Sequence, residues 1–194
     1  MDLPVAALEP VAEEDKAALA NLVLVQLYRY DFSEVRAYEL TEHGTFVYRF
    51  LDHYWCEPGR HAFFIRVGGR FAGFASARDA GGEHEHEVEE FFVVRRHRRA
   101  GVGRTAALDL FARLPGRWPL VHDDANEAAS RFWERVVIHA SVGVFEREEV
   151  TTSAGIVGHR YRFRPLSDMA VVLPIPSEQG TPSRTRGEDA HPGT

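Results

Sequence analysis

Between residues 86 and 114 the sequence predicts a strand, a turn and a helix in direct succession. The strand, His86–Val94, is rich in β-branched and aromatic side chains. The turn, "RRHRRAGVGR", holds Gly101 and Gly103 among its arginines, and apolar residues then recur at helical spacing until Pro115. Glycine lets a backbone turn tightly and approach another group closely. A chain with this unit must build a sheet in which a strand leads straight into a helix.

The other predicted elements mix hairpins with alternating helices and strands. Strands are predicted at Val5–Leu8, in a hairpin over His61–Arg78 that turns at Gly68 and Gly69, and at Trp118–Asp124, Val142–Glu148 and Val157–Arg164. Helices are predicted at Glu13–Tyr30, Phe46–Tyr54, Ala106–Leu114 and Ala125–Val137, the last capped by Asn126. This order predicts a mixed α/β fold of the α+β type rather than a purely parallel sheet.

Length and composition indicate one folded domain with a tail. The 194 residues are enough for a self-sufficient core, and a hydrophobic content of 44% is typical of a soluble globular protein. From about Pro165 onward Pro, Ser, Thr, Gly and charged residues dominate. We therefore expect a domain over residues 1–165 and a mostly disordered tail over residues 166–194. Within the tail, "MAVVLPIP" is an apolar exception that could dock on a surface.

Charge and cysteine content argue against several classes of protein. Lys and Arg total 23 against 29 Asp and Glu, so the net charge of −6 is unlike a surface built to bind nucleic acid. Cys56 is the only cysteine, which excludes an internal disulfide and a cysteine metal site. No segment reaches the ~18 apolar residues of a membrane span, and no export signal is recognisable. We expect a cytoplasmic protein with neither nucleic acid nor membrane as partner.

The amides from Arg99 to Arg104 are candidates for an anion site. Successive N–H groups at the start of a helix converge on an anion, and the helix dipole favours its charge. The turn departs from two common phosphate motifs: Ala106 stands where the Rossmann fingerprint needs a third glycine, and the Gly-Lys-Ser/Thr of a Walker loop is missing. Two glycines also serve the geometry of many turns, so spacing alone leaves phosphate binding and a purely structural role open.

The pattern Arg98-x-x-Gly101-x-Gly103 at the end of a strand resembles the signature of the GNAT superfamily of acyl-CoA-dependent N-acetyltransferases. The segment "ANEAASRFWERV" is similar to the next conserved segment of that superfamily, where an Asn opens a helix and an aromatic residue follows seven positions on. The resemblance implies a GNAT fold, with a central mixed sheet of six to seven strands, splayed between the fourth and fifth strands and flanked by about four helices. It also implies acetyl-CoA in the opening.

The same resemblance implies which residues hold the cofactor. Main-chain groups of Phe92 and Val93 would pair with the pantetheine arm, and Asn126 and Trp133 would contact the cofactor from the second helix. The pyrophosphate would lie on the turn formed by Arg98, Arg99, Ala100, Gly101, Val102, Gly103 and Arg104. The surplus arginines could reach the 3′-phosphate, although a solvated surface role is the alternative for each of them.

Acetyl transfer to an amine needs a base, because an ammonium group has no lone pair. Glu89 and Glu90 precede the cofactor segment, and strand alternation predicts that their side chains face opposite sides of the sheet. By resemblance, Glu89 is our candidate base, with Glu87 as its substitute on the same face. Glu90 and Asp31 are candidate substrate contacts. The alternative is that these glutamates simply solvate a sheet edge.

The general acid is where the sequence departs from the superfamily. Trp133 stands where many relatives carry a tyrosine, and an indole is a poor proton source. The thiolate would then leave unprotonated, take a proton from water or be served by Tyr161, while the amide of Val93 would stabilise the thioester oxyanion. Loss of the acid also leaves open a non-catalytic acyl-CoA-binding module. A nucleic-acid binder that uses the arginine cluster is a third alternative.

Other polar clusters carry weaker signals. The "HEHE" run, His84–Glu87, has side chains that could bind a metal but is more typical of a solvated loop, so we expect no metal. Substrate contacts could also come from Tyr30 and from the segment His122–Asp124. We expect an N-acetyltransferase that moves an acetyl group from acetyl-CoA to a primary amine of a small molecule or peptide by direct attack. The oligomeric state stays open, with a homodimer as one option.

Overall fold

A computed structural model describes residues 6–16, 24–48, 51–152, 155 and 157–166, and these contain seven β-strands and four α-helices. In chain order the elements are β1 (Ala6–Pro10), α1 (Leu24–Phe32), α2 (His53–Cys56), β2 (Arg60–Val67), β3 (Arg70–Asp79), β4 (His86–Val93), α3 (Val102–Arg113), β5 (Trp118–Asp123), α4 (Glu127–Ala140), β6 (Phe145–Thr151) and β7 (Val157–Phe163). Single 3₁₀ turns lie at Glu13–Asp15 and Arg95–His97. No helix of the described residues is long and apolar enough to cross a membrane.

The strands form two antiparallel ladders that meet at one point. The first has the order β1-β2-β3-β4 and the second β5-β7-β6. β4 and β5 run parallel and are joined at their starts by the bridge between Glu85 and Arg117, where the His86 N–H donates to the Arg117 carbonyl at 2.9 Å. Past this bridge, no ladder joins them in the described chain. The expected parting of the fourth and fifth strands is therefore confirmed, with seven strands and four helices as expected.

Two apolar clusters cover opposite faces of the sheet. One packs β-strand residues against α3 and α4 and includes Leu110, Phe111 and Trp118. The other lies on the side of α1 and α2 and includes Phe64 and Phe74. Because alternate side chains of a strand point to opposite faces, β4 sends Phe91 and Val93 toward α3 and α4, and Phe92 toward α1.

The first predicted helices differ from the structure. Of the expected helix Glu13–Tyr30, the structure describes the 3₁₀ turn Glu13–Asp15 and then α1, which continues to Phe32, while residues 17–23 lie outside the described part. Of the predicted helix Phe46–Tyr54, residues 46–48 are not helical and residues 49–50 lie outside the described part. The helix of this segment is the short α2 (His53–Cys56). The reason is Gln26, whose side-chain amide donates to the Phe46 carbonyl at 3.0 Å and accepts from the Phe46 N–H at 2.7 Å. These bonds hold Phe46 extended.

The start of β6 differs from the prediction because of the local turn that ends α4. The hairpin at Gly68 and Gly69 is confirmed, but β6 begins at Phe145 rather than at the predicted Val142. Val142 has φ of +51° and sits in the turn that ends α4, where the Gly143 N–H bonds the Ile138 carbonyl at 3.0 Å. The predicted tail from residue 167 onward, including "MAVVLPIP", lies outside the described residues, as does Val5.

The packing of α3 under the sheet gives the first prediction. Leu110 is fully buried in the larger cluster, whereas Leu40 is 57% exposed. We expect Leu110→Ala to lower the free energy of unfolding by about 2–5 kcal/mol, because it leaves a cavity in a tightly packed core. Leu40→Ala, the same chemical change, is expected to stay within about 0.5 kcal/mol of the parent. Urea denaturation of the two variants measures both, and equal losses would contradict this packing.

Candidate functional site

The turn after β4 ends in a row of main-chain donors. Gly101 is the N-cap of α3 with φ of +80°, and Arg99 has φ of +61°. No side chain of the described residues caps the first turn of α3. The N–H groups of Val102, Gly103 and Arg104 have no acceptor within the helix, because the carbonyl four residues earlier lies before its start. With the positive end of the helix dipole behind them, these donors fit an anion such as a diphosphate.

Gly103 has a packing role that the sequence did not indicate. A Cβ at this position would lie 3.1 Å from the ring of Phe132 and 3.6 Å from Cγ2 of Val93. The glycine therefore lets α3 approach both α4 and β4 closely. Gly101 supplies the left-handed conformation of the turn, so the two glycines of the predicted cradle do different things.

Two residues predicted for different ligands bind each other. The Arg98 guanidinium forms an ion pair with Asp31 and donates from Nε to the carbonyl of Val93 at 2.6 Å. Arg95 pairs with the same carboxylate at 2.8 Å. Arg98 thus links the end of β4 to the end of α1. The Asp31 carboxylate, a predicted substrate contact, forms ion pairs with both Arg95 and Arg98.

Three other arginines near the start of α3 form no ion pair within the described chain. Arg96, Arg99 and Arg104 are exposed, and none of them pairs with a carboxylate in the part of the chain that the structure describes. Arg96 and Arg99 lie in the segment that leads into α3, and Arg104 lies in the first turn of that helix. This local positive charge, on a protein whose net charge is −6, suits a ligand with several phosphates.

The free edge of β4 is the one that faces away from β3. Its main-chain groups belong to Phe91 and Val93, whereas the sequence predicted Phe92 and Val93. The Val94 N–H donates to the Ala72 carbonyl at 2.8 Å, so Val94 and Phe92 turn their main-chain groups toward β3. Val93 and Phe91 then direct theirs toward the opening between β4 and β5. Of the two predicted residues, Phe92 pairs its main chain with β3, and the Val93 carbonyl accepts from Arg98 Nε at 2.6 Å. The Val93 N–H and the main chain of Phe91 face the opening.

A β-bulge in β4 overturns the predicted facing of the two glutamates. Glu90 pairs with Ser76 of β3 and Val88 pairs with the next residue, Ala77, so Glu89 has no partner in the ladder. An extra residue in one strand interrupts the alternation of side chains. Glu89 and Glu90 therefore both lie on the α1 side of the sheet, and the expectation of opposite faces is wrong.

Glu89 is held by arginines. Its Oε1 forms an ion pair with Arg60 of β2 and lies 3.8 Å from Nε of Arg78. The side chain is 17% exposed, and Oε2 is buried with no hydrogen-bond partner among the described residues. Glu87, its predicted substitute, accepts a bond from Nε of Arg78 at 2.7 Å. Both carboxylates therefore lie in ion pairs with arginines of the neighbouring strands.

Glu90 has a different environment. Burial raises the pKa of its carboxyl, and the nearby charge of Glu89 raises it further. The Tyr28 hydroxyl, which hydrogen-bonds to Glu90, and the charge of Arg29 act in the opposite direction but do not cancel the effect of burial. Burial therefore raises the pKa of Glu90. Unlike Glu89, Glu90 forms no ion pair with another residue of the described chain.

A chain of tyrosines beside Glu90 was missed at the level of sequence. The Tyr48 and Tyr54 hydroxyls lie 3.0 Å apart, and Tyr54 donates to Ser76 Oγ at 2.9 Å. Burial raises the pKa of Tyr54 to about 12. Ser76 Oγ in turn accepts from the Glu90 N–H at 3.2 Å. The aromatic composition of this segment is visible in the sequence, but its connection to β4 is not.

The residues predicted on the side of α4 lie mainly in the core. Trp133 is 7% exposed and packs against the rings of Phe91 and Phe132, at centroid distances of 5.1 and 4.8 Å. Asn126 caps α4 as predicted, accepting from the Ala129 N–H at 3.0 Å. Tyr161, the alternative acid, is 1% exposed beneath α4. Neither aromatic residue is placed as an evident proton donor.

The histidine-rich segments separate in space. In the "HEHE" run, His84 is exposed, while His86 contacts Asp79 at 2.9 Å and the Pro115 carbonyl at 3.3 Å. At the end of β5, Asp123 forms an ion pair with Arg36. The next residue, Asp124, lies instead near two histidines beneath α4. Tyr30 is 62% exposed at the end of α1.

The fold is shared with acetyltransferases of known structure. An acetyltransferase from Thermus thermophilus is 22% identical, with a TM-score of 0.60 over 85% of this chain and 99% of that one. Aminoglycoside acetyltransferase AAC(6′)-Ib, in complex with coenzyme A and kanamycin, is 17% identical, with a TM-score of 0.59 over 85% and 98%. A chimera of spermidine N-acetyltransferase SpeG from Vibrio cholerae and hSSAT is 12% identical, with a TM-score of 0.53 over 86% and 99%.

A search of curated proteins gave no match. The sequence profile of the acetyltransferase (GNAT) family, however, matches residues 23–137, which is more than half of the chain. The matched segment includes β4, the turn that follows it and nearly all of α4. Parted strands, an uncapped helix start and this match agree with one another, and the chain belongs to the GNAT family of acetyltransferases.

Proposed function

We propose that this protein transfers an acetyl group from acetyl-CoA to a primary amine of a small molecule or peptide, using a domain that spans residues 1–165. The observation that carries the proposal is the uncapped start of α3 at the mouth of the opening between β4 and β5. Neighbours in fold include acetyltransferases named for aminoglycosides and for spermidine, which are amines. The acceptor of this chain is a separate question.

The residues present fit the cofactor. The N–H groups from Arg99 to Arg104 would hold the diphosphate, and the exposed Arg96 would add charge near the terminal phosphate. Main-chain groups of Val93 and Phe91 would align the pantetheine arm. The bound cofactor supplies the activated thioester. The Val93 N–H, which points into the opening, would donate to the thioester oxygen.

Glu90 is the stronger candidate for the base, ahead of Glu89. A base must accept a proton from an ammonium group near neutral pH, and a carboxylate with a raised pKa does so more readily. Glu89 already forms an ion pair with Arg60 and lies 3.8 Å from Nε of Arg78. We assign Glu89 to holding β2, β3 and β4 together at the bulge, and Glu90 to accepting the proton, directly or through water.

A non-catalytic acyl-CoA-binding module is the second candidate. The observation that favours it is the burial of Trp133 and Tyr161, which leaves no evident acid at the position where many relatives use a tyrosine. Release of free thiol from acetyl-CoA in the presence of spermidine, kanamycin or a peptide with a free amino terminus separates the two. Steady turnover supports the enzyme, and binding of CoA without turnover across the panel supports the module.

The cradle can be tested with two matched glycines. Gly101 and Gly81 have nearly the same left-handed φ, +80° and +84°, but only Gly101 begins α3. Gly101→Ala strains the turn by about 1–2 kcal/mol and shifts its amides, so we expect CoA to bind about 10-fold more weakly in isothermal titration. Gly81→Ala carries similar strain and should leave CoA affinity unchanged. Equal affinities in both variants would count against the cradle.

The assignment of the base gives a second comparison. Glu90→Gln is expected to lower kcat/KM by about 10²–10⁴-fold, because it removes the proton acceptor, with the affinity for CoA unchanged. Glu89→Gln should cost stability more than turnover, since it removes the negative charge that Arg60 of β2 and Arg78 of β3 share. Steady-state kinetics and thermal melts of both variants measure this. A larger kinetic loss in Glu89→Gln would reverse the assignment.

The raised pKa of Glu90 also sets the sign of two pH effects. The acid limb of kcat/KM should lie above the ordinary range of a glutamate, because the base is lost as pH falls through its elevated pKa. A carboxyl whose pKa is higher in the folded than in the unfolded state destabilises the fold once it ionises. Glu90→Gln should therefore melt at the same temperature as the parent or higher at pH 8, and a clearly lower melting temperature would contradict this.

A further inference from the structure

A second pocket lies beneath α4, on the side of the helix away from β4. It has a volume of about 220 Å³ and is lined by side chains from β5, β6, β7 and α4, among them His122, Asp124, Ser130, Glu134, Arg147 and His159. On the opposite side of α4, Phe132 and Trp133 pack against Phe91 of β4. The helix therefore separates this pocket from the opening proposed for the cofactor.

Two imidazoles and one carboxylate converge in the pocket. Asp124 Oδ1 lies 3.0 Å from Nδ1 of His159 and 3.4 Å from Nδ1 of His122. One ligand atom from each of the three residues lies within 4.8 Å of the other two. Ligand atoms about 2.0–2.1 Å from a tetrahedral zinc ion are roughly 3.3–3.4 Å apart. Small shifts of the side chains would therefore bring all three atoms onto one ion.

The charge balance of the pocket leaves Asp124 without a strong cation. Glu134 pairs with Arg147 at 3.4 Å, and Glu127 pairs with Arg131 at 3.0 Å. Asp124 has only the two histidines, and no lysine or arginine pairs with it in the part of the chain that the structure describes. A divalent cation would compensate this carboxylate.

Hydrogen bonding alone does not account for His122. Its side chain is 3% exposed, its Nδ1 lies 3.1 Å from Ser130 Oγ, and its Nε2 is buried with no hydrogen-bond partner among the described residues. A buried polar atom without a partner is unusual. Here that atom is Nε2, whereas Nδ1 is the nitrogen that lies 3.4 Å from Asp124 Oδ1, so the case for an ion rests on the convergence of His122, Asp124 and His159. In the other convergent group, His61, Asp79 and His86, both ring nitrogens of His86 have acceptors. That second group is explained without an ion.

We propose that His122, Asp124 and His159 form a binding site for a divalent transition-metal ion such as Zn²⁺. Imidazole and carboxylate ligands are those that zinc commonly takes, and three protein ligands leave further positions for water from the open pocket. His122 lies on β5, Asp124 directly follows that strand and His159 lies on β7, so the bound ion would hold the end of β5 to the neighbouring strand. This revises the expectation, made from sequence, that the chain holds no metal site.

The test uses the full chain without an affinity tag, treated with a chelator and titrated with ZnCl₂ by calorimetry and with CoCl₂ by visible absorption. We expect one ion per chain with a dissociation constant in the micromolar range or below, cobalt absorption bands of a low-coordinate site, and a melting temperature that rises with Zn²⁺. His159→Gln should weaken binding at least 10-fold and abolish the rise in melting temperature.

His86→Gln is the matched control, because it changes a histidine in the other convergent group and should leave zinc affinity unchanged. Asp124→Asn provides a second variant that keeps the size of the side chain, and it should weaken binding as His159→Gln does. The proposal is overturned if the parent binds no zinc, if binding persists in both pocket variants, or if His86→Gln removes it. None of these outcomes depends on acetyl transfer, so the proposed function stands or falls separately.

Discussion

The parting of β4 from β5 is the constraint on which the rest of the structure depends. In a continuous sheet the edge groups of Phe91 and Val93 would bond the next strand, but past the bridge between Glu85 and Arg117 that strand diverges. Polar main-chain groups that lose one partner need another. The Val93 carbonyl takes the Arg98 side chain, and the other edge groups face the opening. The divergence of β4 and β5 therefore opens a space between the two strands. It also leaves main-chain donors and acceptors of β4 facing that space.

Local signals in the sequence were sufficient wherever a few neighbouring residues decide the structure. The glycine pair at residues 68–69 predicted the hairpin, Asn126 predicted the start of α4, and the apolar run before the arginines predicted β4. Each rests on a turn conformation, a cap or a side-chain pattern within about ten residues. The parted sheet was anticipated only through resemblance, because nothing in one strand reveals the divergence of its neighbour.

The predictions of the second helix and of the facing of Glu89 and Glu90 were wrong because of contacts between distant segments. Alternation placed Glu89 and Glu90 on opposite faces, and a bulge whose register is set by β3 put them on the same face. Gln26 holds Phe46 extended from 20 residues away, so the aromatic pattern there did not become a helix. Asp31 and Arg98 are 67 residues apart and pair with each other, a contact that the sequence did not indicate. Tertiary partners of this kind leave no trace in local spacing.

The bulge gives two adjacent and chemically identical side chains different properties. Glu89 forms an ion pair with Arg60 at the start of β2 and lies near Arg78 of β3. Burial, with a smaller contribution from the charge of Glu89, raises the pKa of Glu90, while the Tyr28 hydroxyl and the charge of Arg29 act in the opposite direction. Pairs of carboxyls whose environments push their pKa values apart are how proteins separate a structural charge from a proton acceptor. Without the extra residue in β4, Glu89 would face α3 and α4, and this influence on Glu90 would be lost.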